Sequence, residues 1–123
     1  MTRKPKLLLV DDEQEIVEFL VLVFRDCDSK TALNAESALE ALRKERFDVL
    51  VTDIRMPGAT GMSLIDSAKE MWPALPIIVI TGHYKEMPAD TEAKIHRWIL
   101  KPFSISTIRE AVMSSIEKVQ GAT

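Results

Sequence analysis

Reactive polar side chains follow four apolar runs in this chain of 123 residues. The runs span residues 7–10, 49–52, 77–80 and 98–100, and the residues that follow them are Asp11 and Asp12, Asp53, Thr81, and Lys101. If the runs are parallel strands of one open sheet, their carboxyl ends meet at the edge where such sheets bind ligands. We therefore expect three carboxylates, a hydroxyl and an ammonium to share one pocket.

The two adjacent carboxylates of Asp11 and Asp12 require a cation. Two such charges about 4 Å apart repel by roughly 4 kcal/mol at an effective dielectric constant near 20. Together with Asp53 they offer hard oxygen ligands and no thiolate, which is the preference of Mg²⁺. In an alternative interpretation Asp12 only caps the first helix, because residues 12–15 have the pattern of a capping box. Capping by Asp12 would not explain why a second acidic residue, Asp11, directly precedes it.

The segments between and after the apolar runs have the spacing of amphipathic helices. Their apolar residues are Ile16, Phe19, Leu20 and Val23; Ala38, Leu39 and Leu42; Leu64, Ile65, Ala68 and Met71; and Ile108, Ala111, Val112, Ile116 and Val119. Strands that alternate with helices predict a parallel sheet covered on both faces. A weaker run at residues 29–32 suits a strand at the sheet edge.

Length and composition indicate one domain with a single core. A net charge of −3 gives no basic surface for nucleic acid. Cys27 is the one cysteine, so an internal disulfide is excluded and a reducing compartment is favoured; we expect a buried apolar thiol. No apolar run approaches the roughly 20 residues of a membrane-spanning helix. We expect a cytoplasmic protein without membrane or nucleic-acid contacts.

Four motifs in this order resemble the receiver domain of two-component response regulators. They are Leu-Leu-Val-Asp-Asp-Glu at 8–13, Val-Thr-Asp-Ile-Arg-Met-Pro-Gly at 51–58, Val-Ile-Thr-Gly at 79–82 and Leu-Lys-Pro-Phe at 100–103. The resemblance extends from Lys6 to about Val119 and implies one receiver domain over residues 1–123, with its core at about 6–119. It also implies a flavodoxin-like α/β fold, a doubly wound five-stranded parallel sheet in the order 2-1-3-4-5 with helices on both faces.

The resemblance implies that Asp53 accepts a phosphoryl group from a sensor histidine kinase or a phosphotransfer protein. The implied Mg²⁺ ligands are Asp11, Asp12, Asp53 and the backbone carbonyl of Arg55. Lys101 and the Thr81 hydroxyl would neutralise the other phosphoryl oxygens. The domain would catalyse only its own phosphorylation and dephosphorylation, and its altered surface would control an output partner.

Further roles follow from the same resemblance. The Thr81 hydroxyl would move toward the phosphoryl group while Trp98, in the place of a switch aromatic, turns inward. A tryptophan that stays fixed in the core is the alternative. The peptide bond before Pro102 would be cis.

Two residues stand where family members tune the lifetime of the phosphoryl group, Arg55 and His83. Neither supplies an amide or a carboxylate to orient an attacking water, so we expect slow self-dephosphorylation. An exposed loop histidine is the plainer interpretation of His83. The segment 83–97 departs from the family pattern, and Pro88 predicts a short or shifted helix there. The departure leaves two questions open: which surface contacts the output partner, and whether the protein forms a homodimer.

Other classes of function fit the residues less well. A Mg²⁺-dependent phosphohydrolase of the haloacid dehalogenase type needs an acid two residues after its nucleophile, where this chain has Arg55. A flavodoxin-like cofactor binder would place phosphate after the first strand, where acidic residues 11–13 repel it. A receiver-like scaffold that is never phosphorylated is disfavoured because every phosphotransfer residue is present. Taken singly, Asp53 could be a turn aspartate, Thr81 a strand-end threonine and Lys101 an exposed lysine at a turn.

Overall fold

The protein alternates strands with helices along most of its length. The computed structural model describes residues 4–54, 61–82 and 93–121, without the side chains of 61, 62 and 117–121. The strands are β1 (Lys6–Val10), β2 (Asp28–Ala32), β3 (Val49–Asp53), β4 (Ile77–Thr81) and β5 (Arg97–Leu100). The helices are α1 (Gln14–Val23), α2 (Ala35–Lys44), α3 (Gly61–Met71) and α4 (Ile105–Gly121).

All the strands are parallel and form one sheet in the order β2-β1-β3-β4-β5. The predicted fold class and strand order are confirmed. Every residue of β3 and β4 is buried, because helices cover both faces of the central strands. This double burial explains why these strands are continuous apolar runs in the sequence. By contrast β2, at the sheet edge, is mostly exposed, as its weaker pattern predicts.

Each face of the sheet has its own apolar core. Leu8 and Leu50 belong to the cluster with α2 and α3, whereas Leu9 and Val51 belong to the cluster with α1 and α4. Neighbouring residues of a strand point to opposite faces, so a five-residue strand supplies both cores. The sheet is therefore held firmly in the middle, and this fixes the positions of its strand ends.

Three details of the sequence interpretation are corrected. Asp53 and Thr81 are the last residues of β3 and β4 instead of following them. The alternative in which Asp12 caps α1 is wrong: Glu13 is the N-cap and makes no side-chain cap hydrogen bond. The Glu13 N–H donates to Asp11 Oδ1 at 2.9 Å. This hydrogen bond forms a turn over residues 11–13, so α1 begins at Gln14, after that turn.

The third correction concerns Phe19, which the spacing assigned to the buried face of α1. It is 38% exposed, since the buried face is centred on Val17 and Leu20. Its ring lies 6.2 Å from the ring of Phe103, centroid to centroid. Phe19 thus joins α1 to the segment before α4 at the surface, outside the main core.

Several sequence predictions concern membranes, cysteine chemistry and the segments that the structure does not describe. Cys27 is buried, and burial raises the pKa of its thiol, in agreement with an apolar role. In residues 4–54, 61–82 and 93–121, no helix is long and apolar enough to span a bilayer. Arg55, His83 and the helix expected between β4 and β5 lie outside the described residues.

An ion pair connects α4 to the end of α1. Arg109 Nη1 donates to Asp26 Oδ1 and Nη2 donates to Asp26 Oδ2, each at 3.0 Å. Nη1 also donates to the Val23 carbonyl at 2.8 Å. The hydrogen bond from Arg109 lowers the pKa of Asp26. Because the folded-state pKa lies below the unfolded value near 3.9, this pair stabilises the fold above that value. The stabilisation is lost as pH falls through the folded-state pKa.

We therefore expect Asp26→Asn to lower the free energy of unfolding by about 0.5–1 kcal/mol at pH 7, the range for a well-aligned but partly exposed pair. The difference from the wild type should shrink as pH falls below about 4. Urea unfolding of both proteins at a series of pH values measures it. Asp28→Asn, which removes an exposed carboxylate from β2, is the control. A difference that does not change with pH would show that the charge of Asp26 is not its source.

Candidate functional site

The predicted site residues meet at the carboxyl edge of the sheet. Thr52 pairs in register with Val10, so Asp53 at the end of β3 lies beside Asp11, the residue after β1. On the other side of β3, Asp53 pairs with Ile80 of β4, so Thr81 lies one residue beyond Asp53 at the end of the neighbouring strand. The order of the strands thus brings together groups that are distant in sequence.

Lys101 closes this group of residues. Its ammonium lies 2.8 Å from Asp53 Oδ2 and 3.4 Å from Asp11 Oδ2. The Lys101 N–H donates to the Thr81 carbonyl at 3.0 Å, so the backbone after β5 is held against the end of β4. The peptide bond between Lys101 and Pro102 is cis. Two carboxylates that are only 1% (Asp11) and 7% (Asp53) exposed therefore share one ammonium.

The electrostatics of the site reflect this arrangement. Burial, together with the charge of Asp53, raises the pKa of Asp11 despite the opposing hydrogen bond from the Glu13 N–H and the charge of Lys101. Burial would lower the pKa of Lys101, but the hydrogen bond and charge of Asp53, together with the charge of Asp11, outweigh it and raise the pKa. The pocket consequently contains more acid than its ammonium neutralises, a condition that a bound cation would relieve.

Three consecutive carboxylates are able to contribute to such a cation site. Ligand oxygens of Asp11, Asp12 and Glu13 lie within 4.8 Å of one another, with Asp11 buried and the other two exposed. Hard, anionic oxygens at a partly open position fit Mg²⁺, which retains water ligands. Glu13 was missed by the sequence interpretation, although it directly follows the two aspartates in the same motif.

The residues proposed for the switch lie next to each other. Thr81 is buried and Trp98 is partly buried, packed against the core on the α2 and α3 side. Both line a cleft of about 170 Å³ together with Ile99 and Leu100. Trp98 pairs in register with Val79, two residues before Thr81. The cleft therefore adjoins both residues.

The sequence interpretation also overlooked Thr52. This residue is buried, and its hydroxyl donates a hydrogen bond to the backbone carbonyl of Asp53 at 2.8 Å. The signal in the sequence is a lone hydroxyl in a strand that is otherwise aliphatic up to Asp53. Threonine is common in strands for its branched shape, so the sequence did not distinguish packing from hydrogen bonding.

Comparison with known proteins is consistent with this geometry. Residues 7–113 match the family model described as response regulator receiver domain. The chemotaxis protein CheY of Pseudomonas aeruginosa is 30% identical over 123 residues, with 94% of this chain and 99% of CheY covered. The response regulator protein PilR of the same species is 30% identical over 117 residues, which cover 92% of this chain. The chain spans 26% of the length of PilR and 29% of the transcriptional regulatory protein GlrR of Escherichia coli.

Solved structures agree with the fold. A response regulator receiver domain protein from Clostridium thermocellum superimposes with a TM-score of 0.89 at 20% identity, covering 97% of this chain and 99% of that one. The response regulator protein TrrA from Thermotoga maritima, solved in complex with Mg²⁺-BeF, has a TM-score of 0.83 at 25% identity. That match covers 90% of this chain and 98% of TrrA.

Proposed function

Because the chain belongs to the response regulator receiver domain family, we propose that Asp53 is a phosphoacceptor served by a histidine kinase or a phosphotransfer protein. Receiver domains are signalling domains and not enzymes with an external substrate. The observation that carries the proposal is the buried Asp53 carboxylate, which lies 2.8 Å from the Lys101 ammonium and beside a cluster of three further acids.

In the proposed reaction an Asp53 carboxylate oxygen attacks the phosphorus of a phosphohistidine. The new P–O bond forms as the P–N bond breaks, and the electron pair of that bond stays on the ring nitrogen. The imidazole leaves as a neutral group because its other ring nitrogen carries a proton. Lys101 donates to a phosphoryl oxygen and offsets its charge. The walls of the pocket, made by the ends of β1, β3 and β4, fix the direction of attack.

Mg²⁺ is the cofactor that the donor set supports. Asp11, Asp12, Asp53 and the backbone carbonyl of Arg55 would hold the ion, and Glu13, with a carboxylate oxygen within 4.8 Å of those of Asp11 and Asp12, would add a further acidic group to the site. Bound there, Mg²⁺ would neutralise phosphoryl charge that Lys101 alone does not offset. The Mg²⁺-BeF complex of TrrA is a precedent for an ion in a related receiver domain.

For the output we propose that modification of Asp53 draws the Thr81 hydroxyl toward the phosphoryl group and lets Trp98 move into the adjoining cleft. Trp98 is partly buried and lines the 170 Å³ cleft together with Thr81, and both observations support this step. The altered surface would control an output domain or protein. We also propose that the chain acts in the cytoplasm, in line with its single buried cysteine.

The test of the function is the intact mass of the wild-type protein after incubation with acetyl phosphate, with Mg²⁺ and with EDTA. We expect a gain of one phosphoryl group that requires Mg²⁺. If Mg²⁺ binds, as followed by tryptophan fluorescence, and no mass is gained from acetyl phosphate or a phosphorylated phosphotransfer protein, the phosphoacceptor function is wrong. The receiver-like scaffold would then be the better account.

The lifetime of the phosphoryl group is a separate prediction. Neither Arg55 nor His83 can orient water through an amide or carboxylate, so self-dephosphorylation should take minutes or longer. The decay of the phosphorylated mass after removal of acetyl phosphate measures it. A lifetime of seconds that stays the same in Arg55→Ala and His83→Ala would contradict the role of these two residues.

A further inference from the structure

We propose that Thr52 is a positioning residue for Asp53, acting through the hydrogen bond from its hydroxyl to the Asp53 carbonyl. The proposal depends on the phosphoacceptor function proposed above. In this proposal Thr52 does not contact the phosphoryl group, because its hydroxyl acts through the backbone of Asp53.

The surroundings of Thr52 show that its hydroxyl is not needed for packing. The residue is 1% exposed and is paired in register with Val10 on one side and Val79 on the other. Both neighbours belong to the apolar core formed with α2 and α3. A valine would fill the same volume in that environment, whereas an unpaired hydroxyl there is unfavourable. The hydroxyl is tolerated because it is bonded to the Asp53 carbonyl at 2.8 Å.

The bonded carbonyl lies at a critical point of the chain. Asp53 is the last residue of β3, so the regular ladder of the strand ends there. The Thr52 hydroxyl restrains the peptide group that links Asp53 to Ile54. On one side of this peptide is the Cα that carries the carboxylate bonded to Lys101. On the other side the chain leads to Arg55, whose carbonyl we propose as a Mg²⁺ ligand.

Rotation of this one peptide would therefore disturb two parts of the site together. It would change the direction of the nucleophilic carboxylate, and it would redirect the backbone that supplies the proposed carbonyl ligand. In-line transfer is sensitive to such changes, because misplacement by about 1 Å can reduce a rate by up to 10²-fold. The effect of losing the hydroxyl should thus be on rate and on Mg²⁺ affinity, with little effect on folding.

Two substitutions at Thr52 separate positioning from packing. Thr52→Val keeps the volume and removes the hydroxyl, and Thr52→Ser keeps the hydroxyl and removes a methyl group. We expect Thr52→Val to be phosphorylated by acetyl phosphate at least tenfold more slowly and to bind Mg²⁺ several-fold more weakly, with its thermal midpoint unchanged or raised. Thr52→Ser should recover most of the rate and affinity with a lowered midpoint. Thr31→Val, on the exposed edge strand, controls for loss of a hydroxyl as such.

The outcomes distinguish this inference from the function on which it depends. If the wild type gains no phosphoryl group, the phosphoacceptor function itself fails. If the wild type is phosphorylated and Thr52→Val matches it in both rate and Mg²⁺ affinity, Thr52 has no positioning role. If Thr52→Ser, which keeps the hydroxyl, is as slow as Thr52→Val, the rate responds to any change of side-chain shape at this position and not to the hydroxyl, and the inference is also wrong.

Discussion

Replacing Asp53 with asparagine is expected to abolish phosphoryl uptake from acetyl phosphate. An amide oxygen is a far weaker nucleophile than a carboxylate and cannot form a stable acyl phosphate at this position. Asparagine nevertheless keeps the size of the side chain and an oxygen that can accept the Lys101 hydrogen bond, which measures 2.8 Å in the wild type. The loss should therefore be chemical and should not result from unfolding.

Intact mass measured over time, with and without Mg²⁺, gives the extent of uptake in this variant. Asp28→Asn, on the exposed edge strand, should be phosphorylated like the wild type. The circular dichroism of Asp53→Asn should match that of the wild type, which separates chemistry from folding. A phosphorylated Asp53→Asn protein would mean that another side chain accepts the group, and peptide mapping would identify it.

The second large effect is expected at Lys101, because its ammonium contacts two buried carboxylates. Lys101→Met keeps an unbranched chain of similar length and removes the charge. We expect phosphorylation to slow by about 10²-fold or more, since the phosphoryl oxygen loses a preorganised cationic donor. In EDTA the variant should also be less stable by about 3 kcal/mol, because Asp11 and Asp53 then face each other without a cation.

The same substitution should have the opposite effect on metal binding. Removal of a positive charge next to Asp11 and Asp53 should raise the affinity for Mg²⁺, by about tenfold if the net change is near 1.4 kcal/mol. Saturating Mg²⁺ should restore much of the lost stability, since binding to the folded state stabilises it. Tryptophan fluorescence titration and thermal unfolding with and without Mg²⁺ measure both effects.

Lys44→Met is a suitable control, because Lys44 forms an exposed pair with Glu40 on α2. It should leave Mg²⁺ affinity and phosphorylation unchanged. A Lys101→Met protein that bound Mg²⁺ more weakly than the wild type would contradict the placement of the ammonium beside the metal site. The contacts of Lys101 with Asp11 and Asp53 would then have to serve folding alone.

The sequence was sufficient to identify the strands and the residues at their ends. Three of its four apolar runs are the central strands β1, β3 and β4, since burial on both faces removes the alternation of polar and apolar residues that marks a half-exposed strand. Asp11, Asp53, Thr81 and Lys101 were assigned to one edge because parallel strands all end on the same side. This part of the site follows from chain direction and requires no knowledge of side-chain packing.

Local competition between hydrogen bonds was not predictable in the same way. Residues 12–15 have the pattern of a capping box, yet the Asp11 carboxylate accepts the Glu13 N–H and α1 begins at Gln14. Phe19 has helical spacing with the buried residues, but the angle at which α1 packs leaves it beside Phe103 near the surface. Both outcomes depend on where the end of β1 and the start of α4 lie in space.

The sequence by itself determined the class of fold, the order of the motifs and the residue types at the carboxyl edge of the sheet, because these depend on periodicity and chain direction. Only the tertiary structure decided which groups contact each other: Lys101 with both Asp53 and Asp11, and the Thr52 hydroxyl with the Asp53 carbonyl. Such contacts depend on distances between atoms that are up to 90 residues apart in the chain. Those distances are set by the packing of helices on the two faces of the sheet.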